Sequence, residues 1–224
     1  VSITVELTNA TVLFTGRAEG DLGLTSEPPR ADVAAHRADL LERLSLDGVR
    51  GAQQVHGAVV TLAEPTTGYV VGPATADGLV TSSRDIALAV HVADCLPVAI
   101  AGAGGVAVVH AGWRGLAGGL IGEAVRALRA LDVGGPLEAA IGPGALGCCY
   151  EAGPELHDLF ATYGASRDRR LDLPAIAGAQ LAKAGVTAIT NVGICTLCAP
   201  PGLLFSHRRD GAATGRQAGL AWLR

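Results

Sequence analysis

The chain of 224 residues is 49% apolar and 17% charged, with a formal net charge of −4 at pH 7. Those proportions exclude a disordered, collagenous or coiled-coil protein, and they leave no basic field to attract nucleic acid or an acidic membrane surface. A chain of this length buries enough surface to fold without a disulfide or metal staple, and it is read as a single domain over residues 1–224. The five cysteines, Cys95, Cys148, Cys149, Cys195 and Cys198, are an odd number with one adjacent pair, which does not suit a disulfide framework. Val1 to Thr15 carries Glu6 and no basic segment, unlike a secretory leader. Free or metal-bound thiols in a reducing, cytoplasmic setting are therefore expected.

In chain order, Ile3 to Phe14 alternates imperfectly and predicts one or two strands. Asp32 to Leu46 has apolar residues at helical spacing and stops before Gly48, which predicts a helix. Gln54 to Leu62 reads as a strand containing His56, Gly78 to Ser82 as a short extended segment, and Ile86 to Val92 as a buried strand. Cys95 to Trp113 carries no charge and approaches the length of a membrane span, but Pro97, Gly102, Gly104 and Gly105 interrupt it. Two buried strands joined by a glycine turn fit better, the second being Val106 to Val109, and no transmembrane helix is expected. Leu116 to Leu131 reads as a helix with Arg126 and Arg129 toward its C-terminal end, where they suit the dipole. After Gly134-Gly135-Pro136, Glu138 to Ile141 reads as a strand, Pro154 to Tyr163 and Leu173 to Ala184 as helices, and Ala188 to Ile194 as a strand. The stretch from Gly202 is loop-rich, with Gln217 to Leu223 expected to form a helical turn. Helices interspersed with short strands predict an α/β domain with a mixed sheet.

Three residues stand where apolar runs meet turns: His56, Cys95 and His110. Strand ends are where α/β folds place their sites. If the strands before and after Gly104 pair, Cys95 and His110 lie side by side at one rim of the sheet. A His, Cys, His set gives Zn2+ three ligands and leaves a fourth position open, as in catalytic zinc sites. The alternative is a buried thiol and a hydrogen-bonded core histidine. Gly112-Trp113-Arg114-Gly115 resembles a strand-to-helix turn in which Arg114 joins backbone N–H groups in an anion site. Ser206 to Gly211, followed closely by Gly215-Arg216-Gln217, puts several arginines in a glycine-rich loop. It suits phosphate or carboxylate recognition and equally reads as a salt-bridged surface loop. Cys195-Thr196-Leu197-Cys198 has no second CxxC to complete a zinc ribbon, so it and Cys148-Cys149 are read as structural and outside the site.

Several segments together resemble the laccase-domain family that includes YfiH and YlmD, whose members carry the labels polyphenol oxidase, purine nucleoside phosphorylase and peptidoglycan editing factor. They are Gln54-Val55-His56-Gly57, Ala76-Asp77-Gly78-Leu79-Val80-Thr81, Ala93-Asp94-Cys95-Leu96-Pro97-Val98, and His110-Ala111-Gly112-Trp113-Arg114-Gly115. Gly147-Cys148-Cys149-Tyr150-Glu151, Arg208-Arg209-Asp210-Gly211 and Gly215-Arg216-Gln217-Ala218 continue the series in order. The resemblance implies layered mixed sheets flanked by helices, and a metal held by His56, Cys95 and His110. It also implies zinc-dependent phosphorolysis of adenosine, inosine, guanosine and methylthioadenosine, with adenosine deamination as a second activity. Val92 departs from the threonine usual in the family, and Phe14-Thr15-Gly16-Arg17 matches the family's Phe-Thr-Thr-Arg only in part.

Within that reading, phosphate would meet Arg17, Arg114, Arg208 and Arg209, and Asp94 is the candidate for a proton-transfer or ligand-orienting carboxylate. The competing readings are a copper polyphenol oxidase, a Cys95–His110 thiol hydrolase and a peptidoglycan-precursor editing hydrolase. Composition argues against the oxidase: the chain has no methionine to serve as a weak axial ligand, and none of its six histidines forms a His-x-His pair. The extra histidine at position 56 favours metal over a bare dyad.

Overall fold

The computed structural model describes residues 2–23 and 31–224. An antiparallel hairpin of β1 (Ile3–Glu6) and β2 (Ala10–Phe14) precedes helix α1 (Ala31–Leu44). Strands β3 (Gly48–Gln53), β4 (Val60–Leu62), β5 (Gly68–Thr75), β6 (Gly78–Thr81) and β7 (Ile86–Val92) follow, then a hairpin of β8 (Leu96–Ala103) and β9 (Gly105–Ala111). Helices α2 (Trp113–Ala117) and α3 (Leu120–Ala130) lead to β10 (Gly134–Ile141) and α4 (Pro154–Leu159). A short pair, β11 (Ser166–Arg167) and β12 (Arg170–Leu171), precedes α5 (Leu173–Lys183) and β13 (Val186–Asn191). One-turn helix α6 (His207–Asp210) and strand β14 (Gln217–Leu223) come last.

The strands form two six-stranded mixed sheets, β1-β2-β14-β7-β3-β5 and β13-β10-β8-β9-β6-β4. Because successive strand residues face opposite ways, each sheet presents two apolar faces. Val12, Phe14, Leu88 and Val90 of the first sheet meet Ala99, Ala101, Val106, Val108 and Ala140 of the second in a shared interior. On the outer face of the second sheet, Val98, Ile100, Ala107 and Val109 pack with Leu120, Ile121, Ala124 and Leu128 of α3 and with Ile176 and Leu181 of α5. On the outer face of the first, Val49, Ala87, Ala89 and Leu220 pack with Leu40 of α1. The result is a helix–sheet–sheet–helix layering. Strands β7 and β9 are buried along their whole length, and β8 along all but its last residue, which is why their sequences run apolar without alternation.

Several local expectations are corrected. The helix expected over Leu116 to Leu131 is two helices, because Gly119 takes φ 81, a left-handed conformation that a side chain would strain. His56 is not in a strand: only Val60–Leu62 is extended, and His56 itself has φ 62. Gln217–Leu223 is no helical turn but a strand between β2 and β7, paired with both, so long-range pairing overrides its alanine and leucine content. Strands β3 and β5 went unread because glycines and polar residues interrupt their apolar signal. Among the described residues, no helix is long and apolar enough to cross a membrane.

The register fixes one functional rim. Leu96 lies opposite Ala111, and Ile141 lies between Val98 and Asn191. The start of β8 and the ends of β9, β10 and β13 therefore share one edge of the second sheet.

Candidate active site

Pairing of β8 with β9 places Pro97 opposite His110, and that register brings Cys95 beside His110. His56 arrives from the loop after β3, held in its left-handed conformation by Asp77. The buried Asp77 carboxylate accepts the N–H groups of Val55 (3.1 Å), His56 (2.9 Å) and Gly57 (2.6 Å), and it also bonds Nδ1 of His110 at 2.8 Å. One carboxylate thus positions two of the three expected ligands. The ligand atoms of His56, Cys95 and His110 lie within 4.8 Å of one another, and the two imidazoles meet edge to face with centroids 4.7 Å apart.

The electrostatics follow from this crowding. Burial would push Asp77 up, but the bonds from His110 and from the Gly57 and Val55 N–H groups hold it below the usual carboxylate range. Burial would likewise raise Cys95; the neighbouring His110 and then His56 bring its thiol down to about 6. Against the opposing effect of burial, the Cys95 thiolate and the Asp77 bond raise His110 to about 9. The two shifts favour a thiolate–imidazolium pair, so the sulfur is drawn toward the form a metal requires, and His110 gives up its Nε2 proton when a metal binds. With Asp77 on Nδ1, His110 offers Nε2, the carboxylate–histidine arrangement of bound metals. Two imidazoles and a thiolate fit a metal ion with an open position.

Gly112 makes room for the sulfur. Its φ of −79 and ψ of 169 are open to any residue, but a Cβ there would lie 2.8 Å from Sγ of Cys95 and 3.5 Å from Cδ2 of His56. Gly112→Ala is therefore expected to swing the sulfur away from the histidines while leaving the fold intact. Metal affinity, measured by competition with a chromophoric chelator, should fall on the order of 10–100-fold, the effect of losing an outer-shell support.

A cavity of about 390 Å³ opens over the three donors, within the range of small-molecule sites. Trp113 and Arg114 of α2 line it, with Tyr150, His207, Arg208 and Arg216. Arg114 lies over the Trp113 ring at 4.4 Å, and Arg208 over the Tyr150 ring at 4.2 Å with Nη1 donating to the Glu151 carbonyl. Asp94 also reaches the cavity. Strand β7 has ended before it, and its φ of 91 turns it inward. Its Oδ1 accepts from Oγ1 of Thr196 at 2.6 Å and its Oδ2 from the Arg208 N–H at 2.8 Å. Asp94 thus holds a wall of the cavity, whereas the carboxylate on a ligand is Asp77.

Arg17 and Arg209 are not brought to the cavity lining. Arg17 pairs with Asp210 and donates to the Leu204 carbonyl. Arg209 gives its N–H groups to Asp210 and to the carbonyls of Thr196, Ala199 and Leu204. Both tie the arginine-rich loop to the body of the fold. Sequence reasoning assigned no role to Asp77 and placed Arg216 only within the arginine-rich loop, not among the named phosphate contacts; the signal for Asp77 was an acidic residue directly before a buried strand.

The family described as multi-copper polyphenol oxidoreductase laccase matches residues 14–224. The chain belongs to that family. Among its relatives, a purine nucleoside phosphorylase of Xylella fastidiosa is 38% identical over 209 residues, covering 85% of this chain and 78% of the relative. A purine nucleoside phosphorylase of Mycobacterium bovis is 39% identical over 208 residues, covering 86% and 80%. The crystal structure of a Neisseria meningitidis protein superimposes with a TM-score of 0.82 at 29% identity, covering 99% of this chain and 98% of that one. YlmD from Geobacillus stearothermophilus gives 0.79 at 30% identity, covering 96% and 91%. The two mixed sheets and their flanking helices are thus the laccase-family architecture.

Proposed function

We propose that the chain is a zinc-dependent purine nucleoside phosphorylase, a single laccase-type domain over residues 1–224, that also deaminates adenosine at the same site. Its substrates are adenosine, inosine, guanosine and methylthioadenosine with inorganic phosphate, and its products are the free base and the sugar 1-phosphate. The observation that carries the reading is the meeting, in one cavity, of the His56, Cys95 and His110 donors with the Arg114 and Arg208 guanidinium groups. The names of the Xylella and Mycobacterium relatives agree with it.

His56, Cys95 and His110 would hold the zinc, which would supply Lewis acidity and lower the pKa of water at the site. Asp77 keeps the proton on Nδ1 of His110, so that Nε2 is the free donor. Arg114 and Arg208 hold phosphate through charge-assisted bonds, and Asp94 fixes the Arg208 backbone beside them. A phosphate oxygen attacks C1′, the glycosidic bond breaks, and its electron pair leaves with the purine. Trp113 and Tyr150 bring aromatic surface to the cavity for the nucleoside. Without phosphate, water attacks C6 of adenine and ammonia leaves.

Anaerobic incubation of zinc-loaded protein with adenosine tests the reading. Adenine and ribose 1-phosphate are expected when phosphate is present, and inosine when it is absent. Zinc is redox-inert, so turnover confined to the copper form, with O2 consumed and adenosine untouched, would instead establish the polyphenol oxidase reading. Arg114→Ala should raise KM for phosphate roughly 10–100-fold, the worth of hydrogen bonds to a charged group, with metal content unchanged. Unaltered phosphate kinetics would return Arg114 to a packing role over Trp113.

A further inference from the structure

The parallel pairing of β10 with β13 sends the loops that follow them out of the same sheet edge. The first loop carries Cys148 and Cys149 and the second Cys195 and Cys198, and the structure brings the ligand atoms of all four within 4.8 Å of one another. This corrects the expectation that CxxC lacks a partner: its partner is the adjacent pair, distant in sequence. The loops are clipped together at Cys195 itself, where Gly144 donates to the Ile194 carbonyl and accepts from the Thr196 N–H at 2.9 Å.

We propose that Cys148, Cys149, Cys195 and Cys198 form a second metal site, a closed tetrathiolate that holds a structural zinc ion and staples these loops behind the wall of the cavity. The spacing suits it. Zn–S bonds of about 2.3 Å in a tetrahedron put sulfurs about 3.8 Å apart, and Sγ of Cys148 lies 3.4 Å from Sγ of Cys198. Four sulfurs with no nitrogen or oxygen donor among them match a soft or borderline metal, not magnesium or calcium.

The staple has a functional neighbour on each loop. Tyr150, next to Cys149, is buried and lines the cavity. Thr196, next to Cys195, donates to Asp94 and accepts from Arg209 through its carbonyl. The ion would fix the loops that carry the Arg208 stacking partner and the Asp94 hydrogen-bond donor, without touching substrate.

Metal counting under reducing conditions tests the proposal independently of the site at His56, Cys95 and His110. Zinc-loaded, desalted wild-type protein should hold one more zinc per chain than Cys198→Ser, and Cys198→His should restore it. Circular dichroism of the exposed Cys198 variants checks that both are folded. Cobalt-loaded Cys95→Ala should keep sulfur-to-cobalt charge transfer and the intense visible bands of tetrahedral cobalt, and the added Cys198→Ser change should remove them. Its zinc-loaded melting temperature should also fall on treatment with a chelator. Equal zinc content in wild type and Cys198→Ser would overturn the proposal. So would a Cys148–Cys198 disulfide found by mass spectrometry whose reduction is followed by no gain of zinc.

Discussion

Replacing His110 with alanine is expected to abolish phosphorolysis and adenosine deamination together and to lower zinc occupancy at the His56–Cys95–His110 set. In the proposed reading the two activities share one donor set, so no His110 variant should lose one and keep the other. Removal of the imidazole also deprives Cys95 of the neighbour that does most to hold its thiol low, and the remaining sulfur becomes a poorer ligand at neutral pH. Product analysis by chromatography, alongside metal content, reads all three effects. Retained deamination with phosphorolysis lost would separate the sites and refute the shared-site reading.

Asp77→Asn should be nearly as damaging, although it changes no proposed ligand and scarcely alters size. The carboxylate receives four N–H donors, two on each oxygen. An amide offers one oxygen, so its NH2 group must face two of those donors whichever way it is turned. Each buried N–H left without an acceptor costs about 1–3 kcal/mol, and the His56 loop loses what holds its left-handed turn. Zinc affinity should fall on the order of 10–100-fold. Urea unfolding should show lower stability even in metal-free protein, which distinguishes Asp77 from a residue acting only through the ion. Unchanged metal-free stability would mean that the loop holds itself.

The sequence was most legible where local composition determined structure. Cys95 to Trp113, uncharged but broken by Pro97 and glycines, fitted two buried strands better than a membrane span, and their pairing around Gly104, at φ 87, puts Cys95 beside His110 as expected. It was least legible where a distant partner decided. His56 leaves the strand pattern because Asp77 captures three consecutive N–H groups of its loop. The arginine-rich loop presented indistinguishable guanidinium groups in sequence. Asp210 and the surrounding carbonyls hold Arg209, and Arg17 from the other end of the chain, away from the cavity, whereas Arg208, tied to the Glu151 carbonyl and stacked on Tyr150, lines it. The four outlying cysteines looked like two unrelated pairs because nothing local reveals that β10 and β13 run parallel.

The place of β14 bears on how the molecule is made. Phe14 pairs with Gly219, and Val92 with Gln217, so everything up to and including β14 must leave the ribosome before the first sheet can close. Until then β2 and β7 each present an unpaired edge, and their apolar faces cannot complete the interior shared with the second sheet. Such long-range closure is slow and exposes edges to other chains. The β8–β9 hairpin and α3, which packs on β9 nearby in sequence, are suited to form during synthesis and wait for it. A nascent chain stalled before Gln217 would carry every proposed metal ligand and arginine, yet lack the strand that joins the two parts of its first sheet. Its hazard would be aggregation through those open edges.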